Sequence, residues 1–203
     1  MRNLNSRLRA AGRGIETSRG RGRNEVRIIA GAWRRQRLRF PLRDDLRPTP
    51  DRVRETLFNW LGQTLDGCAA LDLFAGSGAL GFEAASRGAL PVVLVENDGA
   101  SFNALAENAK RLGANQLQIV KDDAIEFLRI AKGRFDVVFL DPPFRRGVDG
   151  ELLQLVERVL AATGSVYVES DAAFSHPDWR VVRHSRAGQV HFHLLQRAKE
   201  FSP

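Results

Sequence analysis

The chain has 203 residues, 43% of them hydrophobic, one Cys and a net charge of +7. That length supports one well-buried α/β domain with a modest extension, not two full domains. A lone Cys68 excludes a disulfide framework and a cysteine zinc site, and fits a reducing compartment.

No apolar run approaches the roughly 18–20 residues of a membrane span. The N-terminus lacks the apolar core of a signal peptide. The expectation is a cytoplasmic monomer with no membrane partner. The opening "MRNLNSRLRAAGRGIETSRGRGR" is Arg-rich and acid-poor, but too glycine-rich for an amphipathic targeting helix. Residues 1–24 read as a disordered basic tail. Charge is lopsided: residues 1–54 carry 16 Arg against 5 acids, a net of +11, which leaves residues 55–203 at −4. A basic arm on a mildly acidic domain points to a polyanion, because Arg that neutralises phosphates releases condensed counterions.

"VRIIAGAWRRQRLRF", Val26 to Phe40, alternates around a Gly and predicts a short β-hairpin with Arg on one face. Residues 25–46 form this extension, and residues 47–203 the main domain. In "LRPTPDRVRETLFNWL" the prolines break the chain and Asp51 is a candidate helix cap. Val53, Leu57, Trp60 and Leu61 recur at helical spacing. Arg52 and Arg54 sit in the first turn, where cations oppose the helix dipole. They either serve a ligand or lie on the surface.

From Cys68 the pattern is regular. "CAALDLF" reads as a strand, "ALGFEAASRG" as a helix, "LPVVLVE" as a strand and "ASFNALAENAKRLG" as a helix. "NQLQIVKDD", "AIEFLRIAKG", "RFDVVFLDPPF", "GELLQLVERVLAATG" and "SVYVESD" continue the alternation. "DWRVVRHSRAGQVHFHLLQR" reads as two strands joined through Arg186–Gly188. This is an α/β chain with a doubly wound parallel sheet and an antiparallel C-terminal hairpin. His191 and His193 share one face of the last strand. With no further ligand to place beside them they read as polar strand positions, and no metal is expected.

Ligands of such sheets bind at the carboxyl ends of the strands. There stand Asp72, Glu96, Asp122 with Asp123, and Asp141. "FAGSGALG", Phe74 to Gly81, matches a dinucleotide fingerprint, so a nicotinamide oxidoreductase enters as one reading. Gly76 and Gly78 let a cofactor approach the backbone, while Gly81 falls inside the helix and favours close helix–strand packing. Asp72 before the turn suits a cationic ligand better than a pyrophosphate. Hydride transfer also does not call for "DPPF", Asp141 to Phe144. Two prolines end pairing and stiffen that loop. A rigid carboxylate and the Pro142 carbonyl beside an aromatic ring suit methylation of an exocyclic amine: two acceptors expose the nitrogen lone pair and the ring stacks on the base.

These residues resemble the class I S-adenosylmethionine-dependent methyltransferases of the Asp/Asn-Pro-Pro-Tyr/Phe branch. More narrowly, the chain resembles the bacterial small-subunit (16S) ribosomal RNA guanine-N2 methyltransferases of the D type. "RIIAGAWR", "LRPTPDRVRETLFNWL", "LDLFAGSGALGFEA", "DPPFRRG", "VYVES" and "GQV" carry the resemblance, over Arg27 to Arg197. It implies a Rossmann-like, mostly parallel seven-stranded sheet, S-adenosyl-L-methionine as cofactor, and small-subunit ribosomal RNA or the small ribosomal subunit as partner. By position it implies cofactor contacts from Asp72, Phe74, Ala75, Gly76, Ser77, Gly78, Glu96, Asn97, Asp123, Ala124 and Asp141. Asp141, Pro142 and Phe144 match the target-base clamp. Arg34, Arg35, Arg52, Arg145 and Arg146 match the RNA-facing side. "GQVHFHLLQR" departs from the family, which often has Tyr among those positions. Two other readings stay open beside it: amino methylation of DNA or another RNA, and a basic RNA-binding module without activity.

Overall fold

The structure is a computed structural model and describes residues 23–43, 46–142 and 147–198. The tail before Arg23, Phe144 of the expected target-base clamp, and Arg145 and Arg146 of the expected RNA-facing side lie outside them.

Strands β1 (Arg23–Arg27) and β2 (Arg37–Pro41) form an antiparallel ribbon with Val26 opposite Leu38. Helix α1 (Asp51–Leu61) follows the prolines. Pro50 occupies its cap position without a side-chain bond, so Asp51 is not the cap; it begins the helix and binds Arg27 and Arg54 instead. The alternating units come next: β3 (Ala70–Asp72), α2 (Ala79–Ser86), β4 (Val92–Val95), α3 (Gly99–Leu112), β5 (Leu117–Val120), α4 (Ala124–Ile130), β6 (Phe135–Leu140) and α5 (Gly150–Val159). Strands β7 (Leu160–Ser170), β8 (Trp179–Ala187) and β9 (Val190–Arg197) close the chain.

The seven-stranded sheet has the order β5-β4-β3-β6-β7-β9-β8. Strands β3 to β7 run parallel, and β9 and β8 add antiparallel pairs at the far edge. From β3 the chain winds outward to β5, then crosses back to place β6 on the other side of β3. The crevice for a ligand in such a sheet opens at that reversal, between the carboxyl ends of β3 and β6.

Both sheet faces are covered, which explains the continuous apolar strands. Ala70, Leu94, Phe139 and Tyr167 face one layer with Leu57, Phe58, Phe82 and Leu105. Val26, Ile28, Leu38 and Phe40 join the same layer, so the ribbon is docked on the domain rather than extended from it. Leu71, Val95, Val138 and Val168 face the other layer with Leu128, Leu152 and Val156. A Cβ on Gly81 would lie 2.8 Å from Leu94 Cγ, so this glycine serves helix–strand packing, as read from the sequence.

One element ends earlier than the pattern suggests. Helix α5 stops at Val159, and residues 160–164 join β7 through a register shift opposite Phe135 and Val137. The Arg197 guanidinium accounts for this stop. It donates to the carbonyls of Glu157 and Leu160 at 2.8 and 2.9 Å and of Ala161 at 2.8 Å. These take up carbonyls that a helix end leaves without partners.

Candidate active site

The glycine turn follows β3 directly. Gly76 and Gly78 have φ of 50° and 78°, in the left-handed region that favours glycine. A Cβ on Gly78 would also strike Leu105 and Phe82 at 2.6 and 2.7 Å, so internal packing requires this glycine before any ligand does. A Cβ on Gly76 would meet only the tip of Leu46, at 2.7 Å.

The sequence-predicted acids line this edge. Asp72 is buried and accepts the Gly81 N–H at 2.9 Å, at the first turn of α2. Burial is the main cause raising its carboxyl to about 7, with the Glu96 charge adding to it and the Gly81 and Phe74 amides opposing it. Glu96 follows β4 and accepts the Gly76 and Asp98 amides, each at 2.7 Å, one on each oxygen. Each oxygen keeps a second lone pair. Neighbouring Asn97 is exposed. Asp123 caps α4, accepting the Ile125 N–H at 2.8 Å, with Ala124 buried behind it.

Asp141 and Pro142 follow β6, which pairs with β3 so that Asp72 stands opposite Phe139. The crevice therefore holds Asp72 and Asp141 on adjacent strands. Two groups here escaped the sequence reading. The Thr49 hydroxyl, between the two prolines, bonds both Asp141 and Glu169. Glu169 lies near the end of β7 and accepts the Tyr167 phenol at 2.7 Å. Desolvation, then the Glu169 and Asp72 charges, push Asp141 well above the usual carboxylate range; burial also raises Glu169. A hydroxyl has one proton to give. Thr49 can bond both carboxyls well only if one of them is protonated and donates back. Two raised carboxyls joined through one hydroxyl favour a single proton between them. The readable signal was a fifth strand, "SVYVES", also ending in an acid.

A second buried network ties the ribbon to this site. Glu83 on α2 is fully buried and accepts the Ile29 and Ala30 amides at 2.7 and 3.0 Å and the Arg87 guanidinium at 2.8 Å. Arg54, also fully buried, reaches Asp51 at 2.5 Å, the Arg27 carbonyl at 2.9 Å and the Thr49 carbonyl at 3.0 Å. Arg54 is thus neither a ligand group nor a surface arginine: it joins the ribbon to the segment that presents Thr49. Arg34, Arg35 and Arg52 are exposed, the first two on the loop beyond Gly31. A Cβ on Gly31 would sit 1.8 Å from the Ser86 carbonyl, so that loop lies flat against α2.

Residues 26–196 match the family described as Conserved hypothetical protein 95. The chain belongs to that family. It is 43% identical over 182 residues to the ribosomal RNA small subunit methyltransferase D of Escherichia coli K12, covering 87% of this chain and 92% of that protein. Among solved structures, a putative methyltransferase from Escherichia coli is 44% identical with a TM-score of 0.75, covering 86% of this chain and 98% of that one. A putative methylase from Haemophilus influenzae is 37% identical with a TM-score of 0.71, covering 86% and 99%. The seven-stranded, mostly parallel sheet with its C-terminal hairpin is shared with these methyltransferase structures. The departure from the family pattern at "GQVHFHLLQR" takes a definite form here: His191 and His193 share a face with His184 of β8. Burial, with His184 next, pushes His193 down to about 4, so the ring is neutral.

Proposed function

We propose that the chain transfers a methyl group from S-adenosylmethionine to the exocyclic N2 amine of a guanine in small-subunit ribosomal RNA, on assembling subunits. The observation that carries this reading is Asp141-Pro142 at the strand reversal, beside the glycine turn, with the Asp141 carboxyl tied through Thr49 to Glu169. The name of the Escherichia coli relative supports the RNA class.

The donor set fits the cofactor. Glu96 has free lone pairs for ribose hydroxyls, Asp123 and the Ala124 amide stand at the adenine position, and Asp72 favours a cation at the turn. S-adenosylmethionine supplies an electrophilic methyl on a sulfonium. The Asp141 carboxylate and the Pro142 carbonyl accept the hydrogens of the amine and free its lone pair. Methylation leaves that nitrogen with one proton too many. Asp141 is placed to take it, with Glu169 behind Thr49 as the second holder. Arg34, Arg35 and Arg52 face the phosphates. We assign residues 1–22 to a basic RNA arm, 23–46 to the docked ribbon and 47–203 to the methyltransferase domain; Arg23 and Asn24, read from the sequence as tail, pair in β1 instead.

Labelled methyl transfer tests the reading with naked RNA, small subunits lacking the modification, and duplex DNA. Label in a guanine of small subunits is the expected result, and label in DNA alone would overturn it. Deleting residues 1–22, which precede β1, should weaken RNA binding and lower the slope of log K against log salt, roughly 0.7–0.9 per lost phosphate contact. An unchanged slope would remove the tail from the interface.

Asp72 adds a proton-linked expectation. With its carboxyl raised to about 7, it is partly protonated at neutral pH. A sulfonium nearby favours the charged form, so cofactor binding should release protons, most strongly below pH 7, between the bound and the free titration of this carboxyl. Calorimetry in buffers of different ionisation enthalpy measures that release. Asp72→Asn should eliminate it, and proton uptake by the unmodified protein would contradict the assignment.

A further inference from the structure

The methyl-transfer reading leaves a groove of about 570 Å³ unused. It lies between the end of α1 and strands β6, β7, β9 and β8. Asp136, near the start of β6, lines it, so the groove opens at the amino end of the parallel strands. Asp141 and the crevice stand at the other end. Small-ligand sites occupy roughly 300–1,000 Å³.

The polar side chains of the groove follow the strand order. Asp136 comes from β6, Ser165 from β7, Gln196 from β9, and Arg180 and Arg183 from β8. Asp136 accepts the Ala69 N–H on Oδ2 at 2.8 Å, which leaves Oδ1 for a further donor. Gln196 donates to the Ser165 hydroxyl and accepts from the Arg180 guanidinium, both at 3.3 Å. Arg183 is exposed and donates to the Val182 carbonyl at 2.9 Å, one of its five N–H donors. Half-buried Trp60 of α1 stacks on Phe192 of β9, with ring centroids 5.2 Å apart, and lines the groove between the two charged ends. An acceptor, an aromatic ring and a cationic end therefore stand in that order.

We propose that this groove binds a nucleoside phosphate whose base presents N–H donors, with guanine preferred. The base edge meets Asp136, the ring lies on Trp60, and the phosphate meets Arg183 and Arg180. A carboxylate suits the adjacent N1–H and N2–H donors of guanine. Uracil offers one N–H between two carbonyls, which the same carboxylate repels. Stacking on an aromatic side chain holds any base, so Asp136 supplies the selectivity and Trp60 the affinity. Guanidinium N–H forks match phosphate oxygens. A free nucleotide and a nucleotide of single-stranded RNA share this chemistry. The groove stands apart from the crevice between β3 and β6, so it does not depend on the methyl-transfer reading.

The test is calorimetry on the full chain with guanosine monophosphate, uridine monophosphate, guanosine, and a short guanine-containing single-stranded RNA. Guanosine monophosphate should bind saturably, at least about tenfold more tightly than uridine monophosphate or guanosine, each of which lacks charge-assisted hydrogen bonds. Tryptophan emission should change on binding, and Trp60→Leu should remove that change. Arg183→Ala, at an exposed position, should weaken binding about tenfold. Asp136→Asn keeps an acceptor for the Ala69 N–H and should erase the preference over uridine monophosphate. RNA that binds more tightly than the mononucleotide, with the same loss in Arg183→Ala, identifies an RNA strand as the occupant; weaker RNA binding identifies the free nucleotide. Absence of saturable binding by either probe would overturn the proposal. So would unchanged affinity in both Arg183→Ala and Asp136→Asn, which would put the nucleotide elsewhere, in the crevice.

Discussion

Asp141→Ala is expected to lower methyl transfer by about 10²–10⁴-fold, the contribution of a positioned proton acceptor, while S-adenosylmethionine still binds. The separation follows from the site. In the proposed role Asp141 meets the amine, whereas Glu96, Asp123 and the glycine turn follow β4, β5 and β3. Single-turnover kinetics with calorimetry on the same preparation measures both quantities. Lost cofactor affinity with normal residual turnover would contradict the role. A milder companion is Glu169→Gln. Burial raises the Asp141 carboxyl most, and the Glu169 charge raises it next. Removing that charge lets the Asp141 carboxyl fall. The acidic limb of the turnover profile, where Asp141 must be ionised, should then move to lower pH. A shift to higher pH, or none, would exclude a shared proton.

Glu83→Ala should cost about 3–5 kcal/mol of stability, the usual effect of removing one partner from a buried ion pair. Arg54 would keep Asp51 and two carbonyls but lose a fully buried counter-charge 3.5 Å away. The Ile29 and Ala30 amides would lose their acceptor at the same time. For a domain of this size that is a fall of roughly 10 °C in thermal midpoint. Chemical denaturation measures the loss, and a value below about 1 kcal/mol would mean that the ribbon is held by apolar contacts alone. By contrast, Arg37 and Arg39 pair with Glu25 at the surface, where such bonds contribute at most about 1 kcal/mol. Because Arg54 also holds the Thr49 carbonyl, Glu83→Ala should disturb the Asp141 carboxyl as well. Loss of the ribbon's position and slower turnover are therefore expected together.

Much of this was legible in the chain itself. Alternating apolar strands and helices, with glycines and prolines between them, specify a doubly wound sheet, because each signal is local. The carboxyl ends of the strands were equally readable, so Asp72, Glu96, Asp123 and Asp141 could be named from their positions after apolar runs. The proposed cofactor class rests on reading "DPPF" together with "FAGSGALG", both of which follow apolar strand runs in the sequence. Tertiary structure alone decided where distant polar groups meet. Thr49, Asp141 and Glu169 lie on three segments with no periodic relation, and a hydroxyl between prolines carries no mark of the carboxyls it will bond. Arg54 and Glu83 looked like ordinary charges on two helices. Only the docked ribbon removes both from water and turns them into a pair. His184 joined His191 and His193 because antiparallel register places residues opposite each other, and a register is set by the turn and the packing of the hairpin, not by spacing along one strand.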